Sequence, residues 1–208
     1  MQEYLSLQKE GQSEYTDRKS VFYGFARPVS TEEEAVAYVK CIKARYPDAR
    51  HHVYAYALRQ QNITRFTDDG EPGGTAGLPT LDILRKGEIT DAVIVVVRYF
   101  GGTLLGTGGL VKAYSSAASL AVQDARIIRF SLYAYVCVSV SYQDYQKLIP
   151  LLQDPGIRTD DQQFTDTVTL SLSFVAGREE EIRRQMTDLC SGRISWNLIK
   201  TESDSRTI

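Results

Sequence analysis

The hydrophobic pattern in the second half of the chain predicts a compact βαββαβ unit. Apolar residues occupy every second position of 131–140 and 167–174, which is typical of strands with one buried face. Apolar residues at three- and four-residue spacing predict two helices, and Pro150 should kink or shorten the first. This order of elements indicates a ferredoxin-like domain. The predicted elements are strand 131–140, helix 141–154, strand 157–163, strand 167–174, helix 177–190 and strand 193–200.

The first half mixes strands and helices around one fully apolar strand. The run 91–100 is rich in valine and isoleucine, which predicts a buried strand in the centre of a sheet. Thr31 and Glu34 have the spacing of a capping box, so a helix should begin after Thr31. Strands are predicted over 20–29, 52–58 and 91–100, helices after Thr31 and over 77–85 and 109–124, and a long connection over 62–79. Strand periodicity restarts near 127–131, which predicts two α+β domains, 1–128 and 129–208.

Composition and charge narrow the classes of function. The formal net charge of −2 argues against a uniformly basic nucleic-acid binder, although it leaves room for a local basic groove. The longest apolar run is too short to span a bilayer, and the polar N-terminal segment predicts no secretory signal. Three widely spaced cysteines without metal-binding spacing predict reduced thiols in the cytoplasm.

A glycine-rich turn joins the buried strand to the helix after it. The segment GGTLLGTGG, residues 101–109, would present backbone N–H groups at the start of a helix, where they favour an anion such as phosphate. The same glycines also suit a plain tight turn. Thr107 and Gly108 stand where a Walker A loop needs lysine and a hydroxyl residue, and no dinucleotide-binding GxGxxG spacing fits. The turn therefore disfavours an NTPase.

Charged residues around this turn leave two interpretations open. Arg98 could bind a phosphate with two hydrogen bonds, or it could pair with a carboxylate of the acidic loop 67–79. In that loop, Asp68, Asp69 and Glu71 could bind a metal through oxygen, or they could cap turns and pair with Arg98.

The two histidines do not indicate a catalytic pair. His51 and His52 are adjacent in or beside a predicted strand, so they point to opposite faces of the sheet. No serine- or cysteine-nucleophile motif accompanies them, which favours a structural or binding role.

Two aromatic residues of the second domain suggest a different surface. Tyr133 and Tyr135 lie on the predicted open face of the sheet, where they could stack unpaired bases or be ordinary solvated side chains. The consensus of RNA-recognition motifs is absent.

Two motifs carry a resemblance to a known family. DDGEPGGTAGLP (68–79) and VVVRYFGGTLLGTGGLVKAYSSAA (95–118), with His-His and Ala55-Tyr56 upstream, resemble the YigZ/Impact family, and the resemblance covers essentially the whole chain. It implies a ribosomal-protein-S5-domain-2-like N-terminal domain and a ferredoxin-like (βαββαβ) C-terminal domain, similar to the last two domains of the translocating elongation factor. Eukaryotic relatives regulate translation through protein partners in a stress-kinase pathway, and nucleic-acid or ribosome binding is suspected for the bacterial members.

The motifs and the resemblance together define a candidate site without a predicted cofactor. Val53 and Val97 depart from the family, where Cys and Thr are frequent, and both changes weaken a catalytic role there. We expect binding of RNA, the ribosome or a translation-associated protein; the alternative is an enzyme or binding protein for a small phosphorylated or nucleotide ligand. The candidate binding residues are Arg98, Tyr99, Phe100, Gly101, Gly102, Gly106, Gly108, Gly109, Lys112, His52, Asp68, Asp69, Glu71, Gly74 and Thr75.

Overall fold

The computed structural model describes residues 3–207, except for the side chains of residues 61, 206 and 207. Met1, Gln2 and Ile208, at the ends of the two predicted domains, lie outside the described residues. The chain divides into two compact units, Tyr4–Arg129 and Phe130–Ser205, and each contains strands and helices. This confirms the predicted α+β class. Among the described residues, no helix is long and apolar enough to cross a membrane.

The first unit is built on a five-stranded antiparallel sheet. Its strands are β2 (Gly11–Asp17), β3 (Ser20–Pro28), β4 (His51–Leu58), β5 (Ile63–Thr67) and β6 (Ala92–Tyr99). Their order is β2-β3-β6-β4-β5, which places the apolar β6 in the centre, as predicted. A further short strand, β1 (Tyr4–Leu7), contacts the end of this unit, where the Thr90 N–H donates to the Leu5 carbonyl over 2.9 Å.

Helices cover both faces of this sheet. They are α1 (Glu32–Arg45), α2 (Gly77–Lys86) and α3 (Gly106–Ala125), and a short 3-10 turn spans Gln60–Asn62. The helix α1 packs on one face, and α2 and α3 pack on the other. The Thr31 hydroxyl caps α1 by accepting the Glu34 N–H, as predicted, whereas the Glu34 carboxylate accepts the N–H of Ser30. Two hydrophobic layers therefore hold the central strand.

The helix α3 lies unusually close to the first two strands of the sheet. A Cβ atom at Gly11 would stand 2.3 Å from the Ala121 carbonyl oxygen, and one at Gly24 would stand 2.5 Å from that of Ala117. Glycine on the strands and alanine on the helix let the two backbones approach. This contact fixes the position of α3, and with it the position of the glycine-rich turn.

Four features of the first unit differ from the prediction, and the first is the short strand β1, which was not predicted. The strand β2 was not predicted, and β5 lies inside the segment expected to be an irregular connection. Both are edge strands, and their polar exposed faces weaken the hydrophobic alternation. The helix α3 begins at Gly106 rather than at residue 109, because packing of Leu110 and later residues outweighs the low helix propensity of glycine.

The second unit contains the predicted βαββαβ order. Its elements are β7 (Ile127–Val140), α4 (Tyr142–Leu152), β8 (Ile157–Phe164), β9 (Val168–Val175), α5 (Glu179–Leu189) and β10 (Ser195–Thr207). The strands β7 and β8 both pair with β9, and β10 pairs with β7. The helix α4 ends two residues after Pro150, short of the predicted end. Trp196, the one tryptophan of the chain, packs against this core, 6.2 Å from Phe174 between ring centroids.

Candidate functional site

The glycine-rich turn leaves the central strand at Tyr99 and enters α3 at Gly106. Gly102 and Gly106 have φ angles of +84° and +72°, a region in which side chains other than glycine are strained. The helix has Leu105 at its N-cap, and no side chain caps its first turn. Because the first N–H groups of a helix lack partners within it, the start of α3 is a site of positive potential.

A second turn packs directly against the first. Arg18 and Lys19 form the two-residue loop between β2 and β3, whose last paired residues are Asp17 and Ser20. A Cβ atom at Gly101 would lie 2.0 Å from the Lys19 carbonyl carbon, so only glycine fits there. The Gly101 N–H donates to the Ser20 hydroxyl over 3.1 Å. The Arg18 guanidinium donates to the Leu104 carbonyl over 3.4 Å.

Arg18 and Lys19 occupy an unusual backbone conformation for their residue types. Their φ angles are +43° and +67°, which two-residue hairpin loops usually reach with asparagine and glycine. Both side chains are exposed, and neither forms an ion pair with a carboxylate of the described residues. Sequence reasoning missed this pair because Arg-Lys is not a turn signal and β2 was not predicted.

Lys112 adds a third cation on α3 itself. It lies four residues after Gly108, so the two share one face of the helix, and its side chain leans toward the N-terminal turn. Lys112 is exposed and forms no ion pair within residues 3–207. We call Arg18, Lys19, the turn 100–109 and Lys112 the glycine-turn surface.

Arg98 is not part of this exposed surface. It is 6% exposed, and its guanidinium donates to a Glu71 carboxylate oxygen over 2.6 Å. The Tyr114 hydroxyl donates to the same oxygen over 2.7 Å, and burial and the Glu71 charge raise the pKa of Tyr114. Of the two interpretations of Arg98, the structure shows pairing with the acidic loop, and it does not present the guanidinium at the surface for a phosphate.

Asp68 organises the acidic loop from within. Its carboxylate accepts the N–H groups of Gly74, Ala76 and Gly77 over 2.7–3.0 Å, which caps the start of α2. Burial raises the pKa of Asp68, but these three hydrogen bonds outweigh burial and lower it below its ordinary value. Thr75 is buried, and its hydroxyl donates to the Pro72 carbonyl over 2.7 Å.

Asp69 ties the same loop to β4. Its carboxylate accepts the backbone N–H of His52 over 2.6 Å and approaches the Lys43 ammonium at 3.4 Å. The Nδ1 atom of His51 donates to the Asp69 carbonyl over 2.9 Å, and Nε2 of the buried His52 donates to the Tyr46 carbonyl over 2.9 Å. Among the described residues, no group of three or more potential metal ligands is close enough to hold a metal ion. The three acidic side chains of the loop thus cap a helix or pair with hydrogen-bond donors and cations of the same unit.

The remaining candidates divide by exposure. Phe100 is 55% exposed at the start of the glycine-rich turn. The Tyr99 hydroxyl donates to Asp48 over 2.7 Å, which raises the pKa of Tyr99 to about 12. In the second unit, Tyr133 is only 6% exposed, and the Tyr135 hydroxyl donates to Asp204 over 2.9 Å. The expectation of an open aromatic face is therefore wrong for Tyr133, because its ring is buried.

Comparisons with known proteins agree with the resemblance seen in the motifs. Residues 18–122 match the Impact N-terminal domain, and residues 138–193 match a domain of unknown function, DUF1949. The chain is 33% identical to the IMPACT family member YigZ of Escherichia coli (strain K12), over 85% of this chain and 88% of that protein. It is 30% identical to the IMPACT family member YvyE of Bacillus subtilis (strain 168), over 91% and 88%. A solved structure of a hypothetical protein, 30% identical, matches with a TM-score of 0.60 over 96% of this chain and 98% of that one.

Proposed function

The chain belongs to the IMPACT family, and from that premise we propose that it binds RNA through the glycine-turn surface, with the ribosome as its partner. The proposed contacts are to phosphates. The backbone N–H groups at the start of α3 would donate hydrogen bonds to one phosphate, and Arg18, Lys19 and Lys112 would neutralise the neighbouring phosphates.

The observation that carries this proposal is the conformation of Arg18 and Lys19. Two residues at positive φ are less favourable than asparagine and glycine would be in the same loop, by about 1 kcal/mol in total. Their side chains gain no ion pair from the described residues in return. Cations held at this cost beside an uncapped helix N-terminus fit a polyanion better than a structural role.

The acidic balance of the chain does not oppose this assignment. The three carboxylates of the acidic loop are engaged, since Asp68 caps α2, Asp69 binds β4 and Glu71 pairs with Arg98. These carboxylates bind partners within the first unit. Arg98 supports the surface indirectly, because its ion pair with Glu71 holds the acidic loop in place. None of these three carboxylates forms an ion pair with Arg18, Lys19 or Lys112.

We also propose a specific fold for each unit: ferredoxin-like for the second and ribosomal-protein-S5-domain-2-like for the first. The pairing of β7 and β8 with β9, and of β10 with β7, supports a ferredoxin-like second unit, as does the packing of both helices on one hydrophobic core. The antiparallel sheet with α2 and α3 on one face supports an S5-domain-2-like first unit.

Fluorescence anisotropy with a mixed-sequence RNA tests the proposal. We expect the double variant Arg18→Ala/Lys19→Ala to bind more weakly, and the dependence of log K on log salt to become shallower by about 0.7 per lost phosphate contact. The matched control is Lys40→Ala/Lys86→Ala, which removes two exposed cations from α1 and from the end of α2. Co-sedimentation with ribosomes at low and moderate salt should rank the variants in the same order.

An equal loss of RNA affinity in the two double variants would show that binding depends only on the net charge of the protein. That result would contradict the assignment of this surface. A thermal shift with a nucleotide or sugar phosphate, without RNA binding, would instead establish the small-ligand alternative. A ligand at about 100 times its dissociation constant adds about 2.7 kcal/mol of stability, which such an assay detects.

A further inference from the structure

We infer that Phe100 stacks an unpaired base of the bound RNA, so that the glycine-turn surface selects single-stranded over duplex RNA. This inference rests on the proposed function and names its substrate class. It predicts one base contact beside the phosphate contacts already described.

Phe100 is an aromatic side chain placed where packing does not require one. It follows seven buried residues of β6 and the partly exposed Tyr99, yet it is itself 55% exposed. It lies at the first position of the glycine-rich turn, next to Gly101, which packs against the Arg18–Lys19 loop. Phe100 therefore lies at the surface, one residue from the glycine that packs against the Arg18–Lys19 loop.

The Phe100 ring lies within cation–π distance of a buried cation. The Arg98 guanidinium carbon lies 5.7 Å from the Phe100 ring centroid and 5.5 Å from that of Phe22, so the guanidinium contacts both rings. Arg98 is also held by Glu71, and its Nε has no hydrogen-bond partner among the described residues. Cation–π contact of this kind stabilises the ring at the surface, where Phe100 remains 55% exposed.

The chemistry around this ring matches an unpaired nucleotide. A base offers a flat π-face to stack on the ring, and its flanking phosphates meet Arg18, Lys19 and the start of α3. Duplex RNA presents its phosphates but hides the faces of its bases inside the helix. An acidic protein would satisfy the cations without needing the ring. The combination of ring and cations therefore favours single-stranded RNA.

The test compares a short single-stranded RNA with the duplex that it forms with its complement. Phe100→Leu keeps an apolar side chain and removes the π-face, so we expect single-strand affinity to fall about tenfold and duplex affinity to stay unchanged. Phe100→Trp should bind the single strand at least as tightly as the native protein. The matched control, Phe66→Leu, changes another phenylalanine that is 45% exposed, on β5, and should have no effect.

A single strand containing 2-aminopurine reports stacking directly. Its fluorescence should be quenched by the native protein and by Phe100→Trp, and the quenching should be lost in Phe100→Leu. Equal native affinity for both RNAs, with no effect of Phe100→Leu but weaker binding by Arg18→Ala/Lys19→Ala, would overturn this inference and leave the proposed function intact. Binding of neither RNA by the native protein would overturn both.

Discussion

The Arg98 guanidinium and the Glu71 carboxylate form a buried ion pair with 2.6 Å between nitrogen and oxygen, and their side chains are only 7% and 4% exposed. The same Glu71 oxygen accepts the Tyr114 hydroxyl. One carboxylate thus joins the central strand, the acidic loop and α3. Since the glycine-rich turn runs from that strand to that helix, this contact holds both ends of the turn.

Replacing Arg98 by alanine should lower the free energy of unfolding by about 3–5 kcal/mol, because Glu71 would remain as a buried charge without its partner. Urea denaturation followed by circular dichroism measures this loss. The triple variant Arg98→Met/Glu71→Leu/Tyr114→Phe removes every polar member together and should cost less than Arg98→Ala alone. A loss below about 1 kcal/mol for Arg98→Ala would show that the pair does not hold the loop.

Replacing Asp68 by asparagine should lower the free energy of unfolding by about 1–2 kcal/mol at neutral pH, because the charged cap of α2 is lost. The pKa of Asp68 is lowered in the folded state, so its carboxylate stabilises the fold above its unfolded pKa of about 3.9. That contribution is lost as the pH falls through the lower folded pKa. The native and variant proteins should therefore begin to approach each other in stability below about pH 4 and converge once the pH is below the folded pKa, and a difference that stays constant with pH would contradict the capping role.

Replacing Arg18 and Lys19 by asparagine and glycine should separate stability from binding. Asn-Gly suits the positive φ angles of this loop, so the free energy of unfolding should rise by about 1 kcal/mol. The same change removes two cations, and the slope of log K against log salt for single-stranded RNA should fall by about 1.4. Denaturation and anisotropy on one preparation measure both effects. Increased stability with unchanged RNA binding would show that the two side chains serve another purpose.

Two glycines of the same turn should respond in opposite ways to alanine. Gly101→Ala places a methyl group against the Lys19 and Ser20 backbones and should destabilise the first unit by about 1–3 kcal/mol. Gly108→Ala meets no atom within 4 Å and should stabilise α3 by about 0.5–1 kcal/mol, since alanine favours helices. Thermal unfolding of the two variants provides the comparison. Equal effects would mean that the hairpin loop does not press on the turn.

Hydrophobic periodicity predicted the central elements of the fold better than its edges. The strand β6 and the alternating strands β7 and β9 were predicted correctly because burial on one or both faces leaves a clear apolar pattern. The strands β2 and β5 were missed because each is half solvated at the edge of the sheet. Edge strands depend on a neighbour for pairing, and local sequence does not report that neighbour.

The candidate site shows the same limit at the level of side chains. The glycine-rich turn could be predicted because so many glycines between a strand and a helix are typical of a tight turn. The choice between phosphate and carboxylate as the partner of Arg98 could not, because both interpretations use the same residue at the same strand end. Arg18 reaches the turn only because β2 pairs with β3. Its contact with Leu104 joins residues that are more than 80 positions apart in the sequence.

The placement of Trp196 gives this protein an internal optical label for one unit alone. All of the substitutions discussed above lie in the first unit, whereas the single indole packs against Phe174 in the core of the second. Selective tryptophan emission therefore follows melting of residues 130–205, and circular dichroism follows the whole chain. A variant that loses ellipticity before its emission changes would reveal a half-folded species, and coincident curves would establish that the two halves melt together.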